Sequence, residues 1–433
     1  MTRNKMIYKI ILVCLAVFVM VSILSGCGRT PEIITKKLKV WVFSEDYADA
    51  LGHAFAADHP SADFAPEFIL VDVAGLPKRL SEAEETGDGL PDVIMLSPDI
   101  LPRMLESGAL AELAALGLTP ERDRYFHYTY DMGLDGVGVL RAAPWQANPC
   151  MFFYRRSMAR VYLGSDDPDI IAPMLADWDG FYTAALTISQ ESDGKTRMTA
   201  GLDDLLRPQL ASGGFCWLRE DGSLNMTPEV VSLFDIAASL VSQRLVWQAE
   251  QWSEAWVAGM SDPASVFGYF LSPIELRYVL KRAAGGTTAG EGSFGDWAAA
   301  PGPAARNQGG VWLAAYSGTK LPQEAGIFIG YFTSEREAMR KYSLQTGQFS
   351  SDVNVSEQIK FDPQFSEPIL AGQNYYPVAV ESAVRITARK ATRYDSSLDI
   401  AFCEEAAAYA TGQKTLEQAA ADFRATAEGI INS

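Results

Sequence analysis

Residues 37–58 have the sequence KLKVWVFSEDYADALGHAFAAD and contain the pattern that decides the fold. The first seven residues form a β-branched and aromatic run, which predicts a buried strand. In the following residues, 46–58, Leu51, Phe55 and the neighbouring alanines form one apolar face, which predicts a helix. The fold therefore begins with a strand that leads directly into a helix.

The same alternation continues along the chain. It predicts strands at 66–73 and 92–96 and helices at 76–85, 100–106, 177–189, 227–244 and 253–259. Two further strand candidates, 136–140 and 150–154, flank a turn-rich connection at 142–149. Residues 334–337 and 415–418 have the spacing of a capping box, and the glycine-rich stretch 283–295 predicts a loop. The pattern as a whole predicts an α/β fold with parallel layers.

The N-terminus has the features of a lipoprotein signal peptide. Arg3, Lys5 and Lys9 precede an uncharged run of fifteen residues, 10–24, which is shorter than the roughly 20 residues that span a bilayer. The run ends in Leu-Ser-Gly-Cys, which matches the bacterial lipobox. We therefore expect residues 1–26 to be removed after export, Cys27 to carry the lipid, and residues 27–36 to form a tether.

Composition and charge limit what the exported chain can bind. The chain has 433 residues, which is enough for more than one domain, and 48% of them are hydrophobic, which is typical of a folded protein. The formal net charge is −18, and loss of the three cations of the leader lowers it to −21. Such an acidic protein is not expected to bind nucleic acid. Cys150, Cys216 and Cys403 have no disulfide-framework spacing, so either one oxidised pair or three free thiols fit the sequence.

Signatures of catalysis and of metal binding are weak. The three histidines are scattered, with no HExxH motif and no Cys/His cluster, so no metal site and no cofactor are predicted. No Gly-x-Ser-x-Gly motif occurs. The segment 290–295 matches GxGxxG in letters, but it lacks the preceding strand and following helix that a dinucleotide site requires. Carboxylate pairs such as Asp203 and Asp204 are what a glycosidase would use, but an acidic chain also supplies such pairs by chance.

Seven stretches, in their order and spacing, resemble the family 1 extracellular solute-binding proteins of ABC transporters, the maltose-binding-like branch. They are VWVFSEDYADAL (40–51), GDGLPDVIML with ILPRMLESGALAEL (87–113), APWQANPCMFFYRRSM (143–158), ADWDGFYTAALTIS (176–189), SGGFCWLREDGSLNMTPEVVSLF (212–234), GDWAAAPGPAARNQGGVWLAAYSG (295–318) and GIFIGYFTSEREAMRKYSLQTGQFSS (326–351). The resemblance extends over residues 37–431. The chain departs from the family pattern at Arg155-Arg156, where Asn-Lys is usual, and at Ser350-Ser351, where a proline-containing end is usual.

The resemblance implies a two-lobed periplasmic-binding-protein type II fold with a hinge and an interlobe ligand cleft. Residues 37–146 and 311–364 would form the N-terminal lobe, and residues 147–310 and 365–433 the C-terminal lobe. The chain would cross between the lobes near 146–149, 308–313 and 365–376. Ligand would bind at the carboxyl ends of strands, as open α/β sheets generally require.

The resemblance also implies a set of ligand-binding positions. In the first lobe and at the crossings they are Glu45, Asp46, Ser97, Asp99, Asn148 and Trp312. In the second lobe they are Asp203, Tyr269, Phe270 and Glu381. Aromatic rings suit the apolar face of a pyranose, and carboxylates and amides suit its hydroxyls, so we expect a carbohydrate ligand.

The sequence therefore predicts a non-enzymatic, monomeric lipoprotein, anchored through Cys27 at a cell membrane and facing the periplasm or the outside. It would deliver a sugar to the permease subunits of an ABC importer. Two alternatives stay open at this point. The same fold would serve a polyamine, glycerol phosphate or organic anion, or a sensor kinase, although the predicted cleft residues are mostly acidic and an anion favours Arg or Lys. A secreted glycoside hydrolase is the other alternative.

Overall fold

The computed structural model describes residues 36–211, 214–262, 265–387 and 391–432. The predicted signal peptide 1–26, the lipidation site Cys27 and all of the tether except Lys36 lie outside the described residues. In the described ranges, no helix has both the length and the apolar character needed to cross a membrane.

In the part of the chain that the structure describes, eight strands form two separate sheets. They are β1 Lys36–Val42, β2 Phe64–Leu70, β3 Val93–Leu96, β4 Ala143–Gln146, β5 Met151–Arg155, β6 Gly268–Leu271, β7 Trp297–Ala300 and β8 Val311–Ala315. The first sheet has the order β2-β1-β3-β8-β4, and the second has the order β6-β5-β7. Each sheet is the centre of one lobe, called here the first and the second lobe.

Helices cover the faces of both sheets. They are α1 Glu45–Asp58, α2 Leu76–Thr86, α3 Leu101–Glu106, α4 His127–Met132, α5 Arg156–Tyr162, α6 Pro168–Met174, α7 Trp178–Glu191, α8 Asp203–Ala211, α9 Pro228–Ser242, α10 Glu254–Ala258, α11 Pro273–Glu275, α12 Lys281–Ala283, α13 Pro322–Thr333, α14 Arg336–Thr346, α15 Val353–Lys360, α16 Tyr376–Arg385, α17 Asp395–Ala410 and α18 Leu416–Ile431. A π-helical turn, Leu276–Leu280, joins α11 to α12.

Strand direction agrees with the sequence only in part. The predicted parallel pairing is confirmed for β1 with β2 and for β1 with β3. In contrast, β8 runs antiparallel to β3 and β4, and all pairing in the second sheet is antiparallel. The prediction of parallel layers was therefore wrong for these strands, because β8 enters the first sheet on its return from the second lobe and not through a crossover helix.

Each sheet has a hydrophobic core on both of its faces. In β5, alternate residues face opposite sides, so Phe152 belongs to one core of the second lobe and Phe153 to the other. In β1, Val40 and Trp41 likewise belong to different cores. Strands buried on both faces have no polar alternation, which explains why these segments appear in the sequence as continuous apolar runs.

The local predictions were mostly correct in type. The predicted helices at 46–58, 76–85, 100–106, 177–189, 227–244 and 253–259 are all present, with ends shifted by a few residues. Two segments were wrong: residues 136–140 form a turn in place of a strand, and the turn-rich connection 142–149 contains β4. The chain can form β4 there because strand β8 supplies its pairing partners.

Candidate ligand-binding cleft

The two lobes are joined by three chain segments that lie side by side. The segment after β4 pairs with the segment before β8, where Cys150 N donates to Arg306 O (2.9 Å) and Gln308 N donates to Asn148 O (2.9 Å). It also pairs with the third passage, where Ala147 N donates to Phe349 O (3.1 Å). These few main-chain bonds form a narrow connection between two packed bodies, which is the arrangement of a hinge.

The third passage lies close to residues 349–351. Phe349 and, beyond it, Val355 and Ile359 of α15 pack in a core of the second lobe together with Ala379. The sequence-based crossing at 365–376 and the lobe boundary at 364 stay predictions, and the packing of α15 favours a boundary earlier in the chain.

Two adjacent glycines end the second passage. Gly309 and Gly310 have φ angles of +124° and +121°, a conformation that residues with a side chain rarely adopt. A Cβ atom on Gly310 would lie 2.9 Å from the ring of Trp312 and 3.1 Å from Gln146 O. Main-chain conformation and close packing therefore both require glycine at this passage.

Beside the hinge, an open cavity of about 500 Å³ lies between the lobes. Its lining includes the side chains of Asp99, Arg207, Trp252, Glu275, Arg306 and Gln308. Asp99 comes from the first lobe, whereas Arg207 and Trp252 come from the second. The cavity therefore has a wall on each lobe, as a cleft that closes around a ligand requires.

Asp99 follows β3, at the strand end where the sequence predicts a ligand. Its side chain is solvent-accessible, and loss of hydration within the cleft raises its pKa above the ordinary value, while the charge of Arg207 opposes this rise. The neighbouring Ser97 is half-buried, and its hydroxyl has no hydrogen-bond partner in the part of the chain that the structure describes. Of the predicted residues in the first lobe, Asp99 is the one in the cavity lining.

Asp203 contacts the cavity indirectly. Its carboxylate lies 3.5 Å from Arg207 Nη2, one helical turn away on α8, and Arg207 faces the cavity. Desolvation raises the pKa of Asp203, and the charge of Arg207 opposes the shift. Asp203 therefore positions a cavity arginine.

Trp252 is the aromatic residue that the sequence analysis missed. It lines the cavity, is 51% exposed, and its ring centroid lies 4.9 Å from that of Trp256 in the core behind it. Its φ of +72° lies in the left-handed region, which is costly for a bulky residue and occurs preferentially at functional sites. The available signal was its position in a polar segment immediately before Ser253, the N-cap of α10.

Glu275 and Gln308 connect the cavity to the hinge. Glu275 Oε2 accepts from Ser272 N (2.7 Å) in a capping box and from Gln308 Nε2 (2.6 Å). Desolvation raises the pKa of Glu275 to about 7, and the charge of Arg306 opposes this shift. The hydrogen bond to Gln308 therefore ties the start of α11 to the second passage.

Four of the predicted residues are buried outside the cavity lining. Tyr269 and Phe270 lie within β6, fully enclosed in the two cores of the second lobe, and Tyr269 donates to Trp256 O (2.9 Å). Trp312 lies within β8 and donates to Thr129 O (2.8 Å). Asn148 is enclosed at the hinge, where its amide, in the orientation that satisfies both groups, donates to Ala147 O and accepts from Gly310 N. These side chains support the two lobes and their connection, because Phe270 has no polar group and the polar groups of the other three are already satisfied by the protein.

The other predicted carboxylates lie on the surface. Glu45 and Asp46 are exposed at the start of α1, and Asp46 Oδ2 lies 3.4 Å from Arg282 Nη2 of the other lobe. Glu381 is 58% exposed on α16 and lies 4.0 Å from Arg385. None of the three is in the cavity lining.

The cavity is also less acidic than the sequence suggested. Besides its carboxylates it contains Arg207, Arg306 and Arg393. Within the described ranges, no group of His, Cys, Asp and Glu side chains is arranged to hold a metal ion, and Cys150, Cys216 and Cys403 are unpaired.

Comparison with known proteins identifies the fold. The profile of the bacterial extracellular solute-binding proteins matches residues 50–367. No curated protein matches the chain by sequence.

Three solved structures are similar over most of their length. A family 1 extracellular solute-binding protein has a TM-score of 0.79 at 16% identity, covering 92% of this chain and 100% of the other. The sugar-binding protein MalE from Xanthomonas citri has a TM-score of 0.73 at 16% identity, and the similarity covers 92% of this chain and 98% of MalE. The galacto-N-biose/lacto-N-biose I-binding protein from Bifidobacterium longum has a TM-score of 0.67 at 17% identity, and the similarity covers 92% of this chain and 97% of the other.

These similarities confirm the two-lobed α/β fold that the sequence predicts. The profile match covers residues 50–367, which is well over half of the 433 residues and includes every strand of both sheets except β1. The chain therefore belongs to the bacterial extracellular solute-binding protein family.

Proposed function

We propose that this protein is the substrate-binding component of an ABC importer and that it holds a saccharide in the cavity between its lobes. The single observation that carries the proposal is Trp252, a strained and exposed aromatic side chain that faces carboxylate, amide and guanidinium groups across one cavity. Aromatic surface beside in-plane donors and acceptors is the chemistry that a pyranose requires.

The names of similar structures support this choice of ligand. Besides the two sugar-binding proteins above, a binding protein from B. animalis subsp. lactis Bl-04 was solved with β-1,6-galactobiose. Because identities of 15–20% indicate the fold alone, the ligand of this chain has to be argued from its own cavity.

The test is binding to a panel of mono- and oligosaccharides, measured by thermal shift and calorimetry. A ligand that binds only the folded protein raises the melting temperature. Trp252→Ala should weaken binding roughly thirtyfold, the effect of losing an aromatic anchor. Trp247→Ala is the matched control, because Trp247 is 37% exposed nearby but lies outside the cavity lining. If no saccharide shifts the melting temperature while another solute does, the carbohydrate proposal fails.

A matched pair of carboxylates tests the placement of the site. Asp99→Asn should weaken saccharide binding, because a ligand hydroxyl would lose a charged acceptor. Glu381→Ala should leave binding unchanged, since this side chain is exposed and outside the cavity lining. Equal effects of the two changes would contradict the assignment of the cavity. The bound ligand should be recovered chemically unchanged, and steady release of product would favour the hydrolase.

Delivery and anchoring complete the proposal. A lipid on Cys27 would hold the protein at a membrane surface, where a closed, loaded form reaches the permease. Mass spectrometry of the mature N-terminus should find a lipid-modified cysteine as the first residue, and Cys27→Ala should leave an unlipidated precursor. An unmodified N-terminus, or cleavage elsewhere, would contradict the anchor and leave the binding proposal unaffected.

A further inference from the structure

Arg306 is a cavity arginine whose side chain has no hydrogen-bond or ion-pair partner among the described residues. Its guanidinium lines the interlobe cavity, and its Nε is shielded from solvent without a hydrogen-bond acceptor. Across the described ranges, its side chain makes no hydrogen bond and no ion pair. An Nε–H group that has lost water without gaining an acceptor is costly, and the terminal nitrogens are not engaged by the described residues, so a partner is expected to come from outside the chain.

The main chain holds Arg306 firmly in this position. Its carbonyl accepts from Cys150 N (2.9 Å), within the paired first and second passages. The nearby acid Glu275 is engaged elsewhere, since its Oε2 accepts from Ser272 N and Gln308 Nε2. The charge of Arg306 lowers the pKa of Glu275, but among the described residues no hydrogen bond or ion pair within 4.0 Å joins the two side chains.

Arg207 Nε is also shielded without an acceptor, but most of the other charged groups of the cavity have partners that Arg306 lacks. Arg207 lies against Asp203, and Arg393 is exposed and donates to Tyr394 Oη (2.7 Å). Asp399 accepts from Trp217 Nε1 (2.7 Å). Asp99 resembles Arg306, because no hydrogen bond or ion pair engages it in the part of the chain described here. Among the described residues, the cavity thus presents a cation, Arg306, and a carboxylate, Asp99, that no protein hydrogen bond or ion pair engages.

We infer that the preferred ligand is an acidic saccharide, a sugar whose carboxylate pairs with Arg306 while a ring hydroxyl donates to Asp99 and the ring lies against Trp252. The inference rests on the proposed function and names its substrate class. A planar carboxylate matches the two-pronged donor geometry of a guanidinium, whereas a neutral sugar leaves the charge of Arg306 uncompensated.

The test is calorimetry on the full-length protein in mild detergent, with ligands that differ only at C6. The pairs are glucose with glucuronate and galactose with galacturonate, and the methyl ester of galacturonate supplies the same skeleton without charge. Each uronate should bind roughly thirtyfold or more tightly than its hexose, as expected for a partly buried charge pair. The methyl ester should bind like the hexose.

Variants assign this preference to the residue. Arg306→Gln should remove the advantage of the uronate with little change for the hexose, and Arg306→Lys should keep part of it because a point charge remains. Arg103→Gln is the control, since Arg103 is exposed on α3 and lies outside the cavity lining. Asp99→Asn should weaken uronate and hexose to a similar extent.

Each outcome decides the inference. Hexose binding as tight as uronate binding, a preference that survives Arg306→Gln, or tight binding of glucose 6-phosphate alone would overturn it and leave saccharide binding intact. Absence of binding by every saccharide would instead refute the proposed function. Should Arg306→Gln fail to fold, the comparison of uronate with hexose on the unaltered protein still decides the matter.

Discussion

At the scale of single residues, Asp204 is a buried carboxylate directly behind the aromatic wall of the cavity. It accepts from Trp256 Nε1 (3.0 Å) and from Gly201 N (2.9 Å), and Trp256 packs against Trp252. Desolvation is the largest influence on Asp204 and raises its pKa to about 7, against the lowering effect of these hydrogen bonds. Its ionisation should therefore affect stability near neutral pH.

The sign of this effect follows from the raised pKa. The stabilising contribution of protonated Asp204 is fully present below the ordinary value of 3.8 and is lost as pH rises through about 7. Asp204→Asn removes that loss, so the stability of the variant relative to the natural protein should rise between pH 4 and pH 7. The slope should be at most ~1.4 kcal/mol per pH unit.

Urea unfolding at several pH values measures this difference. Asp49→Asn, a change of the same kind at an exposed position of α1, is the control and should show a much smaller slope. A difference in unfolding free energy between Asp204→Asn and the natural protein that does not vary with pH would contradict the assignment.

At the scale of elements, two capping signals with the same spacing in the sequence have different outcomes. Thr415 and Gln418 form the predicted capping box at the start of α18, with Gln418 N to Thr415 Oγ1 at 3.2 Å and Thr415 N to Gln418 Oε1 at 2.9 Å. The box predicted at 334–337 was wrong. There Ser334 ends α13, its N donating to Gly330 O (2.7 Å), and Glu335 precedes α14. Because the connection between α13 and α14 is so short, Ser334 caps the end of α13 and is not available as the N-cap of α14.

The two sites therefore predict different stabilities. Thr415→Ala should lower the free energy of unfolding by about 1 kcal/mol, because a main-chain donor of α18 loses its acceptor. Ser334→Ala should cost clearly less, since it removes no capping bond. Thermal or urea unfolding of both variants measures this, and equal losses would argue against the observed helix boundary at Ser334.

At the scale of the whole molecule, the hinge is expected to allow closure around ligand. Small-angle scattering of the protein from residue 30 onward should show a smaller radius of gyration when a binding saccharide is saturating. An unchanged radius at saturation would argue against a closing cleft.

Gly310→Ala should impair this closure and destabilise the protein. Alanine at φ +121° is strained, and its Cβ would also meet Trp312 at 2.9 Å. Gly138→Ala is the matched control, since Gly138 has φ +84° but no neighbouring atom within 4 Å of a Cβ. The control should cost about 1 kcal/mol from strain alone and bind normally. Binding by Gly310→Ala that equals that of the control would show that the hinge tolerates a side chain.

The sequence by itself determined the α/β class, the order of most strands and helices, and the family. Periodic apolar runs such as those of β1 and α1 are local signals. They predict the element correctly because a helix is stabilised by burial of one apolar stripe, and a central strand by burial of both of its faces. Asp99 was also predictable, because the end of a strand is visible in the sequence and lies at the cleft.

Only the tertiary structure decided which aromatic side chain faces the cavity. Tyr269, Phe270 and Trp312 lie in strands that are covered on both faces, so neither spacing nor residue type distinguishes a core position from a site position. Trp252 is exposed and has a left-handed main-chain conformation. The unpaired state of Arg306 depends on what the other described cavity residues already bind. Both properties are set by contacts between segments distant in the chain, which a local pattern does not contain.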